Sequence, residues 1–415
     1  MLYINLDKIK IRKEFFGALL FDFEEFNYYI LNSISIEILS MFLNGNTLDN
    51  VKNIIKKKYK LSDILYELDI MPLINSYIKK EYLVEYESKN FDNYINNNVV
   101  DGRLSAPIEV TLNPHYMCNQ NCKFCYAKDL INNKKYQHNI LELNDYKLLL
   151  TSPGWKDAFC YHILGGEPFV NKDLLFGILD ILGTNHCISI TTNGTACYNN
   201  EKEIALRLKK YKNLEIAVSL ESSIEDYHNK VTGNKDGYKK IIKFVKELVK
   251  YVKNVSINTV ITKENIEYIY ETAVLAKSLG VRVFSCSLPI PCNNINIDEY
   301  LKNNVLYEQV IELEKELRTL ESENFFIVIY YNDFKNNDIK DNKFNLFKGC
   351  SAGNRGIEIL PNGDVYPCCA INGQEKFLLG NIKSNSFYEI WENPKLESFR
   401  NKSGKCGLVN YESKV

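Results

Sequence analysis

The chain has 415 residues, 45% of them apolar, and a formal net charge of −1. That is enough apolar material for two or three domains with real cores, and with the charge balanced no basic surplus advertises nucleic acid or an anionic membrane as a partner. Asn, Lys, Ile and Tyr are abundant, as base-composition bias would produce. Met1-Leu-Tyr-Ile-Asn5 lacks a basic stretch followed by an apolar one, so no secretion signal is expected. No apolar run approaches the ~18 residues of a membrane span. The 12 cysteines lack the spacing of a small disulfide scaffold, which points to a reducing, cytoplasmic setting where thiolates serve metals or sit in cores.

Residues 1–88 read as a separate, winged-helix-like α+β module. Extended runs at Leu2–Ile4, Ala18–Asp22 and Asn27–Leu31 precede a helix over Ser33–Phe42, ended by the turn Asn44-Gly45-Asn46. Thr47 caps a second helix to Tyr59, a third runs from near Ser62 to Tyr82, and Tyr82–Tyr86 is strand-like. A DNA-binding winged helix is disfavoured, because residues 1–89 hold 12 Lys/Arg against 13 Asp/Glu, the wrong balance for a phosphate binder. The order of Phe21-Asp22, Asn27–Leu31, helix, Asn44–Leu48 and helix resembles the PqqD-like recognition elements of ribosomally made, modified peptides. That resemblance implies a precursor peptide whose leader adds as a strand against a sheet edge and a helix. A structural N-terminal cap is the alternative.

The Asn-rich stretch 89–106 reads as a linker, which would let a leader-binding module raise the concentration of a core peptide at a distant site. From 107 to 300, strand and helix signals alternate, as in a parallel α/β sheet. Strands are expected at Ile108–Leu112, Phe159–Leu164, Cys187–Thr191, Leu214–Leu220, Val255–Ile261 and Val281–Ser287. Helices are expected at Asn144–Leu150, Lys172–Leu182, Glu201–Tyr211, Gly237–Tyr251 and Asn265–Leu279. Chemistry should gather at the C-terminal strand ends.

Just after the first of these strands stands Cys118-Asn-Gln-Asn-Cys122-Lys-Phe-Cys125. Three thiolates within eight residues can hold three irons of a [4Fe–4S] cubane, leaving the fourth open to a small molecule. A zinc site is the bland alternative, although zinc favours paired CxxC elements. The spacing, with Phe124 before the last Cys, resembles the radical S-adenosylmethionine (SAM) superfamily. The resemblance implies a partial (βα)6 barrel, SAM bound at the open iron, and a 5′-deoxyadenosyl radical that abstracts hydrogen.

On the same resemblance, Gly165-Gly166-Glu167-Pro168 after the second strand would bind the SAM amino group. Thr191-Thr192-Asn193-Gly194 after the third would meet its ribose or carboxylate, and Ser219 and Glu221 after the fourth become contacts. The family usually has Arg before Gly233, where this chain has Thr232, which puts the carboxylate contact in doubt; Lys230 is a substitute candidate. His228 reads as a turn residue. Asn258 and Thr259 would approach the nucleoside. Cys160, Cys187, Cys197 and Cys286 read as small buried hydrophobes, with Cys292 the likeliest functional exception.

Cys350, twelve residues, Gly363, four residues and Cys368 form a second metal signal, with Asn362-Gly363 as a hairpin turn between Gly356–Leu360 and Val365–Cys368. The spacing resembles the SPASM auxiliary-cluster domain or its shorter Twitch form, with Cys406 as third ligand in residues 301–415. Cys369 is expected to face away, because neighbouring strand side chains point to opposite faces, leaving an iron open. Zinc is again the alternative.

The whole order resembles radical SAM peptide maturases, in layout the thioether-forming sactipeptide synthases. It implies a precursor peptide substrate, a SAM-binding [4Fe–4S] cluster, one auxiliary cluster, and an electron donor such as flavodoxin or ferredoxin. Cα epimerisation and carbon–carbon crosslinking share the architecture; a glycyl-radical enzyme activase would not need the N-terminal module.

Overall fold

In the N-terminal unit, Met1–Ser105, Ile9 and Ile11 alternate with Lys10 and Arg12, and this period of two forms a strand absent from the sequence-based expectation. The computed structural model describes residues 1–85, 99, 102–138, 140–290, 305, 307–330 and 351–400. Strand β1 (Leu2–Ile4) pairs antiparallel with β5 (Leu83–Glu85). Strands β2 (Ile9–Glu14), β3 (Gly17–Asp22) and β4 (Asn27–Leu31) make an antiparallel meander with β3 in the middle.

Asn32 and Thr47 cap helices α1 (Ser33–Met41) and α2 (Leu48–Tyr59), accepting from the backbone N–H of Ser35 (2.8 Å) and Asn50 (3.2 Å). Ser62 caps a helix that runs as α3 (Asp63–Leu65), a π turn (Tyr66–Ile70) and α4 (Met71–Lys79). Leu20, Ile38, Leu39, Phe42, Val51, Ile55, Tyr66 and Ile74 form its core. Gly45 sits at φ +80°, and a Cβ there would lie 2.3 Å from the Tyr3 ring, so this turn needs glycine. A buried ion pair, Arg12 Nε to Glu14 Oε1 at 2.7 Å, is completed by the N–H of Ser105 on Glu14 at 2.8 Å, so the desolvated carboxylate is not left short of donors.

The second unit, Ala106–Val415, is built on one sheet. Its strands are β6 (Glu109–Leu112), β7 (Cys160–Ile163), β8 (Cys187–Thr192), β9 (Leu214–Ser219), β10 (Asn254–Val260), β11 (Val283–Ser287) and β12 (Phe326–Tyr330). These run parallel, each beside the next in sequence. The six expected strands are all present, and β12 adds a seventh after the helix Tyr307–Arg318. On the other side of β6 the sheet continues through β13 (Gly356–Ile359), parallel to β6, and then antiparallel β14 (Asp364–Tyr366) and β15 (Gly380–Asn381). The hairpin from the C-terminal part thus joins the same sheet as β6–β12.

Helices follow the strands: α5 (Lys128–Ile131) and α6 (Leu143–Thr151) after β6, α7 (Lys172–Leu182) after β7, α8 (Glu201–Leu208) after β8, α9 (Glu225–Thr232) and α10 (Gly237–Leu248) after β9, and α11 (Ile269–Ser278) after β10. Val110, Leu112, Tyr161, Ile163, Ile188, Ile190, Ile216 and Val218 are buried on one sheet face. The register puts Glu109, Thr111, His162, Ser189, Thr191, Glu215 and Ser219 on the other. A parallel sheet covered on both sides would be apolar on both; the polar face marks the side kept for chemistry. Among the described residues no helix is long and apolar enough to cross a membrane. Cys292, Cys350, Cys406 and most of the expected linker lie outside the described residues.

Candidate active site

Cys118, Cys122 and Cys125 occupy the loop between β6 and α5, each half-buried. Helix α9 holds this loop from behind: the N–H groups of Asn121 and Lys123 donate to the carbonyls of Thr232 (3.1 Å) and Val231 (3.0 Å). Burial raises all three thiols above their ordinary values, and for Cys122 the neighbouring Glu221, Cys125 and Cys118 add to it. Three thiols that repel one another's ionised forms in a partly dry loop suit a polycation, since metal coordination deprotonates thiols outright. Among the described residues no three His, Cys, Asp or Glu side chains converge on a single ion; a cubane takes each thiolate on a different iron. Phe124 is half-buried in the same loop.

Gly165 and Gly166 follow β7 and lie against the chain entering the cysteine loop. Gly166 N–H donates to the His115 carbonyl (2.9 Å) and Glu167 N–H to that of Met117 (2.8 Å). A Cβ on Gly165 would fall 2.3 Å from the His115 oxygen, and one on Gly166 2.1 Å from the Met117 oxygen, so only glycine permits this crossing. Glu167 is buried, and its carboxylate accepts from Thr192 Oγ1 (2.7 Å), Asn193 N–H (2.6 Å) and Phe169 N–H (3.0 Å). Burial pushes it up to about 6 despite those donors. Pro168 opens the next turn without an N–H to satisfy. Glu167 therefore ties the glycine turn to the end of β8, and Asn193 carries the tie onward: its Nδ2 reaches Asn119 Oδ1 (3.0 Å) and Cys118 Sγ (3.7 Å). Thr192, Asn193, Gly165–Pro168 and the cysteine loop thus form one bonded cradle.

Ser219 is half-buried on the polar face at the end of β9. Glu221 is buried; its Oε2 accepts from Val260 N–H (2.9 Å), its own N–H donates to His228 Nδ1 (3.1 Å), and burial pushes it up to about 8. His228, expected as a turn residue, lies inside α9 instead; burial pushes it down to about 4. Because Nδ1 accepts, the neutral ring carries its proton on Nε2, which finds no hydrogen-bond partner among the described residues. Thr232 stands where Arg is usual, and its hydroxyl donates to the His228 carbonyl at 2.8 Å while Lys230 is exposed. Asn258 is half-buried, its Oδ1 accepting from Ser285 at 3.2 Å. Thr259 is buried, its hydroxyl spent on the Leu220 carbonyl at 2.7 Å, because neighbouring strand residues face opposite ways. Cys160, Cys187, Cys197 and Cys286 are buried, as core cysteines are.

In the C-terminal part, Gly363 at φ +90° closes the hairpin between β13 and β14, its N–H donating to the Leu360 carbonyl at 2.9 Å. Strand β14 ends at Tyr366, two residues before Cys368, and Cys369 opens a 3-10 turn to Ile371. This corrects the expectation that Cys369 faces away: strand alternation no longer applies there. The Cys369 thiol lies within hydrogen-bonding reach of both Cys368 and the buried Glu358 carboxylate, and both cysteines are half-exposed.

The radical SAM superfamily matches residues 112–276, the span from the end of β6 through every strand-end motif above. The chain carries a radical SAM enzyme domain. Residues 350–408 match an iron–sulfur cluster-binding domain, SPASM, and SAM and iron–sulfur clusters are its cofactors. The AdoMet-dependent heme synthase of Methanosarcina barkeri is 27% identical over 60% of this chain and 73% of its own. The antilisterial bacteriocin subtilosin biosynthesis protein AlbA of Bacillus subtilis is 24% identical over 69% of this chain and 60% of its own. The crystal structure of Streptococcus suis SuiB bound to precursor peptide SuiA superposes with a TM-score of 0.73 at 21% identity, covering 97% of this chain and 91% of that one.

Some residues of this radical SAM site escape motif reading. Tyr126 OH donates to Asn113 Oδ1 (3.4 Å), and Asn113 and Asn372 amides donate to Glu358 Oε2 (3.5 and 2.7 Å). This buried chain runs from the residue after Cys125 to the second cysteine pair. One signal was available: Glu358 is the lone charge in Gly-Ile-Glu-Ile, and a charge in an apolar strand is buried only with partners.

Proposed function

We propose that this radical SAM enzyme modifies a ribosomally made precursor peptide and closes a thioether between a peptide cysteine and a carbon of the same chain. What carries this is the combination in one chain of a radical SAM sheet, a cluster-binding hairpin joined to it, and an N-terminal unit with an open sheet edge at β4. Tyr28 and Tyr29 are half-buried there and Ile30 is exposed. A strand edge of this kind takes an extended peptide through backbone hydrogen bonds, which is the role proposed for residues 1–88 as a PqqD-like element, with 89–106 as linker. The full-length likeness to a protein crystallised with its precursor peptide supports the same assignment.

Cys118, Cys122 and Cys125 would hold the first cluster, and with SAM it supplies the one-electron cleavage that yields a hydrogen-abstracting species. The chain's own part is positional. The glycine turn and Asn193 brace the cysteine loop, Glu167 locks the two together, and Ser219 offers a hydroxyl to the cofactor on the polar face. Glu221 holds the end of β9 to the end of β10. Cys350, Cys368 and Cys406 would hold the auxiliary cluster. Thioether closure replaces one C–H and one S–H bond by a C–S bond. One hydrogen atom goes to the adenosyl group and one proton to solvent. One electron leaves through a cluster to a carrier such as flavodoxin or ferredoxin in the cytoplasm.

The test is to incubate the reduced, reconstituted enzyme with SAM and a cysteine-containing precursor encoded beside its gene. Loss of two hydrogens with a thiol no longer open to alkylation supports the proposal. The same mass loss with a free thiol means carbon–carbon crosslinking, and unchanged mass with deuterium uptake from solvent means epimerisation.

A further inference from the structure

Five strands of the sheet are in register at one level. Thr111 pairs with His162, His162 with Ser189 and Ser189 with Glu215, and on the other side Thr111 pairs with Glu358. Residues paired across parallel strands share a face, so this row sets the His162 imidazole between two glutamates on the polar face. Among the described residues no other strand of this sheet carries a histidine. The Nε2 of His162 lies 3.7 Å from Oε2 of Glu109, two residues before Thr111 on the same face. Its Nδ1 has no hydrogen-bond partner among the described residues. The two side chains are 34% and 41% exposed, whereas His115, His186 and His228 are buried, so this is a histidine that a substrate can reach. It stands three residues before the Gly165 turn, on the order of 10 Å along the chain.

An imidazole whose Nε2–H faces a carboxylate presents the Nδ1 lone pair outward, which is the arrangement of an oriented general base. Desolvation by the surrounding protein opposes a charge on the ring, but Glu109, with Glu215 and Glu358 behind it, outweighs this and raises His162 above its ordinary 6.5. Desolvation works against Glu109 too, yet His162 and Arg355 hold it below the usual carboxylate range, so it stays the anion of the pair. The remaining groups around them are Tyr330 of β12, Arg282, and Ser256, whose hydroxyl lies 3.5 Å from Glu215.

We propose that His162 is the base that takes the proton from the substrate cysteine, with Glu109 as the positioning residue that orients its ring. This rests on the thioether reading above. The S–H proton passes to His162 Nδ1, and the thiolate sulfur bonds to the peptide carbon that has lost its hydrogen atom. The surplus electron leaves to an oxidised iron–sulfur cluster, as in that reaction, and the exposed imidazolium returns its proton to solvent. A base is matched to a thiol when its own pKa lies near the working pH, and the neighbouring carboxylates move the ring in that direction. Only the neutral ring can accept, so closure should fail as pH drops through the histidine's pKa.

The experiment uses the full, reconstituted and reduced chain with SAM and the cysteine-containing precursor, and reads thioethers closed per 5′-deoxyadenosine formed as a function of pH. In the parent this ratio should fall on an acid limb lying above 6.5. In His162→Gln it should drop by about 100-fold and lose the limb, and added imidazole should restore part of it in His162→Ala. Glu109→Gln keeps the ring and removes the group that raises it, so the limb should move to lower pH. It carries the test alone if the histidine variants fail to fold. A merely structural role would lower the ratio with no rescue and no movement of the limb. The parental ratio in His162→Gln, or an unmoved limb in Glu109→Gln, overturns the proposal while the thioether reading stands. A parent that closes no thioether removes that reading and the proposal with it.

Discussion

The two cysteine sites differ in how their geometry arises. The Cys118–Cys125 loop is braced mostly by backbone: α9 carbonyls hold Asn121 and Lys123, the glycine turn presses on His115 and Met117, and the Asn193 amide adds side-chain bonds to Asn119 and Cys118. The Cys368–Cys369 pair is set by one change of backbone, strand to 3-10 turn, and by a carboxylate that collects thiol, N–H and amide donors. Spacing along the chain suffices to describe the first site. The second depends on where a strand ends, and a shift of one residue would reverse a side chain.

The largest effect expected is at the first site. The triple C118A/C122A/C125A variant should form no 5′-deoxyadenosine from SAM, while its auxiliary EPR signal persists. Cleavage at the parental rate by this variant would end the assignment. Gly166→Ala probes the bracing itself. Its Cβ would sit 2.1 Å from the Met117 oxygen, so the loop must move; a displacement near 1 Å costs on the order of 100-fold in rate. Single-turnover cleavage should fall by about that much with iron content retained, and an unchanged rate would show that the loop tolerates the shift.

His228 tests the support behind the loop. Its folded pKa of about 4 lies below the ordinary 6.5, so the unfolded chain binds the proton first. The stabilisation from keeping the ring neutral is complete above 6.5 and is lost as pH falls towards 4. The loss amounts to about 3 kcal/mol. Glu221, raised to about 8, has the opposite slope, its contribution falling as pH rises, so the difference between the parent and His228→Gln isolates the histidine. Urea melts of the cluster-free protein should show the parent losing its advantage between those two values; a pH-independent difference would refute buried neutrality.

The smallest effect belongs to the second site's hairpin. Gly363→Ala places a side chain at φ +90°, which should cost about 1 kcal/mol of stability and leave SAM cleavage untouched. Loss of cleavage would mean that the hairpin, through β13 and β6, also controls the first loop.

Legibility in the sequence followed the range of the interaction. Six strands, five of their helices, the Thr47 cap and the Gly45 turn rest on local periodicity and turn chemistry. Strand β2 was missed although Ile9-Lys-Ile11-Arg12 alternates, because its buried Arg12 looks solvent-facing until Glu14 is placed beside it. Helix α9 was hidden because Tyr227-His-Asn-Lys-Val-Thr-Gly233 carries only Val231 as an aliphatic anchor, and its other buried members, His228 and Thr232, are polar. Among the candidate site residues, the cysteine spacing and the paired glycines are legible in the sequence. Glu167 was found, but its service to Thr192 and Asn193 was not.

By itself the sequence determined which atoms are available: three thiols at one spacing, a glycine pair where backbones cross, and a hairpin glycine between two more cysteines. Those follow from residue type and local geometry, which act over a few bonds. The tertiary structure decided direction. It brought α9 behind the cysteine loop, laid β13 beside β6 to bury Glu358, and ended β14 early enough to turn Cys369 towards Cys368. Such outcomes depend on contacts between residues far apart in the chain, where the free energy of packing selects one backbone among several that the local sequence allows.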